Sequence, residues 1–293
     1  MKPAAWTLGC LLIFGTRICP AQASDLTIAP PLPDIPTLMH EVETHQKASE
    51  TLVKDYLYHS YATEQSQDGH GGVKKTETEE SDIFYVAGVR IRRITKKDGR
   101  DLTPDEEKKE SERIDEKIAK AKERQGKPTE EGHEVVTVSR FLELGSFGNA
   151  RRVQMNDRDT IAVDFTGNSK AKTQSHFESA IREMEGTIWV DEQDRSLRKL
   201  QGHFVNAFKV GGGLLADVKK DSSFEAEWTK VNGEVWLPSS AAGQGAVRVL
   251  LLLNFHGSLR VVNSNYRKFK TTSTIVPVPS GEPEPASQPV LPQ

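Results

Sequence analysis

The chain has very little cysteine, since Cys10 and Cys19 are its only two and both lie near the N-terminus. Residues 1–23 have the features of an export signal. Lys2 precedes a mostly apolar stretch, and Ala21-Gln22-Ala23 supplies the small residues that signal peptidase requires. Cleavage after Ala23 would leave a mature chain without cysteine, which excludes disulfides, thiolate catalysis and cysteine-ligated zinc. An uncleaved N-terminal anchor or a lipid on either cysteine is the alternative.

Long apolar runs and an excess of basic residues are also missing. No apolar stretch is long enough to span a bilayer comfortably, so we expect no transmembrane anchor after processing and a periplasmic or secreted location. Loss of Lys2 and Arg17 reduces the 39 basic residues to 37, against 42 acidic ones, for a net charge of −5. This balance offers no basic surface for nucleic acid.

Catalytic and metal-binding motifs are missing as well. The sequence contains no GxSxG, SxxK or HExxH, and His40 and His45 are five residues apart rather than the four that place two ligands on one helix face. We therefore predict no metal, no cofactor and no enzymatic activity. Asp191 and Asp194 fall in a predicted turn, where carboxylates usually cap backbone groups. A secreted hydrolase with dispersed carboxylates is a less favoured alternative.

Proline marks the ends of the folded region. Residues 24–37 and 276–293 are rich in proline and poor in apolar residues, which predicts an extended linker and a disordered tail. A single domain is expected over 38–275.

A charged helical insertion is predicted near 103–127. Thr103 is its cap, Pro104 suits the first helical position, and Glu106 completes a capping box. The apolar stripe of this helix is too thin for a deep core position, so it would rest on a sheet edge or close over an opening.

The rest of the sequence is mainly strand-like. A helical pattern covers 36–54, and 135–144 is ambiguous but favours a helix. Alternating or apolar segments predict strands at 56–63, 73–78, 83–87, 89–94, 160–165, 186–190, 197–208, 224–231, 234–237, 247–255 and 258–269. Asp98-Gly99 and Asn232-Gly233 predict hairpin turns.

Many strands and few helices indicate an α+β fold with a strongly curved antiparallel sheet. Two or three helices would cover its concave face, because an apolar sheet face must be buried. Such a face could enclose an apolar cavity. Its candidate ligand-binding residues are Trp189, Phe204, Phe208, Phe224, Trp228, Trp236, Leu250, Leu252 and Phe255. The same side chains would equally fill a closed core.

Several short motifs resemble one family. Residues 186–191, Gly-Thr-Ile-Trp-Val-Asp, resemble a strand that ends in Asp, and residues 197–200, Leu-Arg-Lys-Leu, resemble a returning strand of the pattern "x-I-x-x-L". Residues 235–238 have a "w-x-P" strand end, 265–269 a closing "Y-x-x-F" strand, and 56–58 an aromatic strand after a helix. This arrangement resembles the LolA-like envelope carriers, which include outer-membrane lipoprotein-sorting proteins.

The resemblance implies a half-barrel with helices as a lid that holds acyl chains or hydrophobic peptides and carries out no reaction. The charged insertion at 103–127 and the Pro-rich tail depart from that family. The leading hypothesis is a periplasmic carrier or sensor of a lipid or lipoprotein acyl chain, possibly with an envelope protein as partner. The alternative is an envelope structural or protein-interaction module with a filled core.

The processing hypothesis has a direct test. When the chain is expressed with its export signal in a bacterium, the mature protein should begin at Ser24, and intact-mass spectrometry should show the loss of residues 1–23. A mature protein that retains Lys2, or that carries a lipid on Cys19, would contradict it.

Overall fold

The computed structural model describes residues 31–68, 70, 72–123, 137–210, 216–249 and 253–268, with the backbone alone for residues 176, 177, 210, 216, 247–249 and 253–255. The predicted signal peptide and tail lie outside the described residues. So do residues 24–30 of the predicted linker and the glycine run 211–213.

Four helices and thirteen strands occur in the described residues. The helices are α1 (Ile35–Leu52), α2 (Pro104–Glu123), α3 (Val138–Leu144) and α4 (His176–Ala180). The strands are β1 (Tyr56–Gln67), β2 (Val73–Val86), β3 (Val89–Lys97), β4 (Arg100–Asp101), β5 (Gly145–Met155), β6 (Arg158–Gly167), β7 (Met184–Asp191), β8 (Ser196–Phe204), β9 (Phe208–Val210), β10 (Ala216–Val218), β11 (Ser223–Val231), β12 (Val235–Val249) and β13 (Leu253–Lys268).

The strands form one antiparallel sheet over the described part of the chain. Its order is β4-β3-β2-β1-β13-β12-β11-β8-β7-β6-β5, and β10 pairs with both β12 and β9. Since β4 and β5 lie at opposite ends, the sheet is open. The predicted mainly antiparallel fold with few helices is confirmed.

Local sequence signals account for several elements. Asp34 caps α1 by accepting a hydrogen bond from the Thr37 N–H at 3.0 Å, so the helix begins inside the stretch predicted as linker. The capping box of α2 is present, since the Thr103 N–H donates to the Glu106 carboxylate at 2.9 Å. Asp98-Gly99 and Asn232-Gly233 have positive φ at both residues, as two-residue hairpin turns require.

Four strand predictions were wrong in their limits. Segments 73–78 and 83–87 lie on the single strand β2, which ends at Val86, because the polar residues between them continue the pairing with β1. The apolar segment 247–255 is not one strand, since β12 ends at Val249 and β13 begins at Leu253, and these two residues pair. The segment 197–208 ends as β8 at Phe204, and Phe208 begins β9.

Strands β4, β5 and β10 were not predicted. β5 carries five polar or charged residues and lacks a regular alternation, yet it pairs with β6 along most of its length. Asn149 adopts a positive φ of 51° at a β-bulge in this strand, and such bulges are common at sheet edges.

The main core lies between α1, α3 and one face of the sheet, which we call the helix-bearing face. α1 and α3 are joined by an ion pair of 2.8 Å between Lys47 and Glu143 and by a 2.7 Å hydrogen bond from the Ser139 hydroxyl to Glu50. The buried side chains of this core are Leu38, Met39, Val42, Phe141, Leu142, Leu144, Ile161, Val163, Phe165, Ile181, Ile188, Val190, Leu197, Leu200, Trp228 and Trp236.

α2 protects an edge of the sheet. The Glu110 carboxylate accepts a hydrogen bond from the Ile94 N–H at 2.8 Å, and the Arg113 guanidinium donates to the Arg92 carbonyl at 2.5 Å. Both backbone groups belong to β3, which has only the two-residue β4 on its outer side. Side chains of α2 therefore bind backbone groups of β3 that would otherwise be unpaired at an open edge. This placement is the first of the two predicted for the helix, namely resting on a sheet edge.

Two glycines allow aromatic rings to lie close to the sheet. Gly186 and Gly202 are cross-strand partners on the helix-bearing face. A Cβ on Gly186 would stand 2.0 Å from the Gln201 carbonyl oxygen and 2.8 Å from the Phe165 ring. A Cβ on Gly202 would stand 2.7 Å from the Phe224 ring. The rings occupy the space that side chains would take.

Gly186→Ala should therefore destabilise the protein by about 3 kcal/mol, because the added methyl group overlaps backbone atoms that cannot move aside. Gly148→Ala on β5 is the matched control, since nothing lies within 4 Å of its added Cβ. Urea unfolding measures both free energies. A Gly186→Ala protein as stable as Gly148→Ala would show that the strands are not packed this closely.

Candidate functional site

An apolar row crosses the helix-bearing face from one strand to the next. The cross-strand pairs align Val163, Ile188, Leu200, Ala226, Ala241, Val261 and Ala62 on seven consecutive strands. The adjacent row contains Phe165, Gly186, Gly202, Phe224, Gly243 and Leu259. Since side chains alternate between faces along a strand, all of these residues share one face.

Burial decreases along these rows. Val163 and Ile188 are fully buried beneath the helices, Ala226 and Phe224 are partly buried against the same core, and Leu259 is 42% exposed. We call the outer part the apolar strip and define it as Phe224, Ala226, Ala241, Gly243, Leu259, Val261 and Ala62. The strip continues the core of the protein onto an accessible surface.

Gly243 forms an open point in the strip. A Cβ built there meets only the Ser223 carbonyl oxygen, at an ordinary contact distance of 3.5 Å. Its neighbours across the strands are Phe224 on one side and Leu259 on the other. The surface of the strip therefore has a shallow depression at Gly243, between the side chains of Phe224 and Leu259.

The opposite face of the same strands is polar. The corresponding row there contains Asp164, Thr187, Gln201, Glu225, Ala242, Arg260 and Thr63. A cavity of about 320 Å³ lies over these strands. Its lining includes Gln201, Glu225 and Arg260 of this row together with Phe224, Gly243 and Leu259 of the adjacent row. The two faces of one sheet thus differ sharply in polarity.

Four of the candidate ligand-binding residues lie on the helix-bearing face. Phe204 and Phe224 are half-buried, with an edge-to-face arrangement and ring centroids 6.5 Å apart. Trp228 and Trp236 are buried in the core. These four residues adjoin or belong to the apolar rows.

The remaining candidates are placed differently. Trp189 lies on the polar face, where the Lys199 ammonium stands 5.8 Å from the ring centroid. Phe208 lies on the short strand β9 and is half-buried. Leu250 and Leu252 lie outside the described residues, as does the side chain of Phe255. The structure therefore divides the predicted set and does not bring Trp189 together with the others.

A charged network fixes the turn between β7 and β8. Asp191, whose side chain is fully buried, accepts two hydrogen bonds from Arg158 at 2.6 and 2.8 Å. It also accepts one from the Asp194 N–H at 2.9 Å, which is the backbone capping expected for this aspartate. Ion pairing and capping together hold β6 against the turn.

Asp194 extends this network to other elements. Its carboxylate accepts hydrogen bonds from Lys230 at 2.8 Å and from the Trp236 indole N–H at 3.0 Å. His45 of α1 donates through Nδ1 to the Asp194 carbonyl at 2.8 Å. The arginines at 158 and 198 stand 5.9 and 5.5 Å from the centre of the Trp236 ring. One turn therefore anchors α1, β11 and β12.

The pKa of Asp191 reflects this setting. Burial favours its neutral form, but the Arg158 guanidinium and the Asp194 N–H outweigh that effect and lower the pKa below the ordinary value of 3.8. Burial also lowers the pKa of Arg198, whose guanidinium donates to the Met155 carbonyl at 2.7 Å and the Thr160 hydroxyl at 2.9 Å. These charges serve to join strands.

Two further observations concern the described residues alone. Their helices include none that is both long enough and apolar enough to cross a membrane. Their His, Cys, Asp and Glu side chains form no group of three or more that could hold a metal ion.

The sequence analysis missed part of the apolar strip. On β13, Leu259 and Val261 alternate with Ser258 and Arg260, and that alternation was the available signal. On β12, Ala241 and Gly243 flank the apolar Ala242, so no alternation marks them. Small side chains form much of the strip, and a search for large aromatic residues does not find them.

No protein-family model matches the chain, and no curated protein matches it significantly. Solved structures align over most of its length. A LolA superfamily protein from Nitrosomonas europaea is 10% identical with a TM-score of 0.35, over 82% of this chain and 95% of the other. An outer-membrane lipoprotein-sorting protein domain from Vibrio parahaemolyticus is 12% identical with a TM-score of 0.36, over 78% and 90%.

A third structure, a DUF1329 family protein from Desulfovibrio piger, is 10% identical with a TM-score of 0.36, over 80% of this chain and 94% of the other.

Asp191→Asn should lower the free energy of unfolding by about 2 kcal/mol at pH 7. That is less than the loss of a fully buried ion pair, because Arg158 is 36% exposed. The folded-state pKa of Asp191 lies below its unfolded-state value. Its ionised form therefore stabilises the fold above about pH 4, and this contribution disappears as the pH falls through the lowered folded-state pKa.

Urea unfolding of both proteins at pH 7 and pH 3 should show the difference shrinking in acid. Asp157→Asn is the control, because Asp157 is exposed in the adjacent hairpin turn and its positive φ of 59° suits asparagine equally well. An equal loss of stability at both pH values would contradict the role assigned to Asp191.

Proposed function

We propose that this chain is a non-catalytic carrier or sensor that acts outside the cytoplasm and binds a hydrophobic ligand, a lipid or the acyl chain of a lipoprotein. The predicted export signal supports the location. The apolar strip supports the binding function, and its continuity with the main core is the observation that carries the proposal.

A ligand on the strip would extend the core. An acyl chain laid along Val261, Ala241 and Ala226 would remain in contact with apolar side chains up to the helix-covered region. Each CH₂ group removed from water contributes roughly 0.8 kcal/mol. The small side chains at Ala241 and Gly243 leave room for a chain between Phe224 and Leu259.

The shape of the sheet belongs to the same proposal. β-bulges interrupt the pairing at Leu57/His59, Glu80/Ser81 and Glu227/Trp228, among other places. Bulges increase twist and bend the strand that contains them. We propose that the sheet curves around the helix-bearing face, so that the strip lies on its concave side.

α1 and α3 would form the border of the binding site. They cover the buried end of the rows, and the Lys47–Glu143 ion pair that helps to join them is partly exposed, with side chains 52% and 31% accessible. Solvent and salt weaken an exposed pair of this kind. The buried apolar side chains of α1 and α3 are therefore what mainly holds the two helices on the sheet.

A second function is favoured by a different observation. The core beneath α1 and α3 is built from the protein's own buried side chains, Trp228 and Trp236 included. In a structural or protein-interaction module of the envelope, the apolar strip would be the docking face for another protein. Such a module would not bind isolated lipids.

Leu259 and Val262 provide a matched test. Both lie on β13 and are similarly exposed, at 42% and 38%, but they belong to opposite faces. Leu259→Glu should reduce affinity for a fluorescent fatty acid at least tenfold, because the ligand would bury the new carboxylate. Val262→Glu should leave affinity within twofold of the wild type. Fluorescence titration measures both, and neither side chain is needed for folding.

Equal effects of the two substitutions on fatty-acid affinity would show that the strip is not the binding site. Absence of saturable binding by the wild type would contradict the carrier function and favour the interaction module.

A further inference from the structure

Two buried tryptophans of the same core differ in their hydrogen bonding. Trp228 and Trp236 are 6% and 7% exposed. The Trp236 indole N–H donates to the Asp194 carboxylate at 3.0 Å. Within the described part of the chain, the Trp228 indole N–H is buried and has no hydrogen-bond acceptor.

An unpaired buried donor is costly. Leaving such a group without an acceptor costs about 1–3 kcal/mol, and buried tryptophan N–H groups usually find a partner. The surrounding cluster is made of apolar side chains, so nothing in that cluster compensates this N–H. The position is suited to a group that arrives with its own acceptor.

The register places Trp228 beside the apolar strip. It is two residues from Ala226 on β11, so both side chains lie on the helix-bearing face. Its cross-strand partner on β12 is Pro238. Trp228 therefore stands where the strip meets the helix-covered core, at the inner end of the proposed binding site.

We propose that Trp228 makes the site selective for acyl ligands that carry a carbonyl oxygen, such as esters and amides, over plain hydrocarbon or ether chains. This inference rests on the proposed binding of a hydrophobic ligand to the strip. The Trp228 N–H donates to the carbonyl oxygen while the chain lies along the strip. The buried donor is then satisfied only in the bound state.

Two ligands that differ in one oxygen atom test this selectivity. 1-Palmitoyl-lysophosphatidylcholine and its 1-O-hexadecyl ether analogue share headgroup and chain length, but only the first has the ester carbonyl. Isothermal titration of the wild-type protein should show affinity for the ester that is roughly three- to tenfold higher, the value of one net hydrogen bond. Trp228→Phe should abolish this preference by weakening ester binding alone.

Trp189→Phe is the control, because Trp189 lies on the polar face and its removal should change neither affinity. A readout that needs no variant is the indole ¹H–¹⁵N resonance of Trp228, which should move downfield with the ester and not with the ether. Trp228→Phe loses no protein hydrogen bond, so its unfolding temperature should stay close to that of the wild type.

The outcomes separate the two proposals. Equal binding of ester and ether by the wild type, or a preference that persists in Trp228→Phe, would overturn the role of Trp228 and leave the carrier function intact. Failure of both ligands to bind would overturn the carrier function and this inference together. Loss of the ester preference in Trp228→Phe alone supports both.

Discussion

The register of one long antiparallel sheet determines the chemistry of its two faces. Side chains alternate with a period of two, so a slip of one residue between any two strands would exchange the apolar and polar rows. In the observed register, Leu200, Ala226, Ala241 and Val261 align on one face. The helices need only cover part of that face to form a core, and the remainder becomes the apolar strip.

The register is held in place at one end by charge. Asp191 and Asp194 connect β6, β11, β12 and α1 through arginine, lysine, tryptophan and histidine side chains. Glycine contributes at the centre, where Gly186 and Gly202 allow Phe165 and Phe224 to lie over the strands. Both features keep neighbouring strands in one alignment, and the strip exists only in that alignment.

Sequence patterns gave the class of fold but only part of the site. Alternation and the Asn232-Gly233 turn predicted β11 and the start of β12, and the Thr103 capping box predicted α2. The division of 247–255 between β12 and β13 was missed because an unbroken apolar run shows no boundary between two strands. Trp189 was grouped with the other aromatic residues because pairing register, which decides the face of a strand, depends on contacts distant in sequence. The Trp228 N–H, which has no acceptor among the described residues, likewise depends on tertiary packing that sequence patterns do not contain.

The location of the ligand is the central claim, and photo-crosslinking tests it most directly. A fatty acid with a diazirine in its chain, irradiated with the protein and mapped by peptide mass spectrometry, should label Phe224, Ala241, Leu259 or Val261. Labels concentrated on Trp189, Val262 or other residues of the polar face would contradict the account.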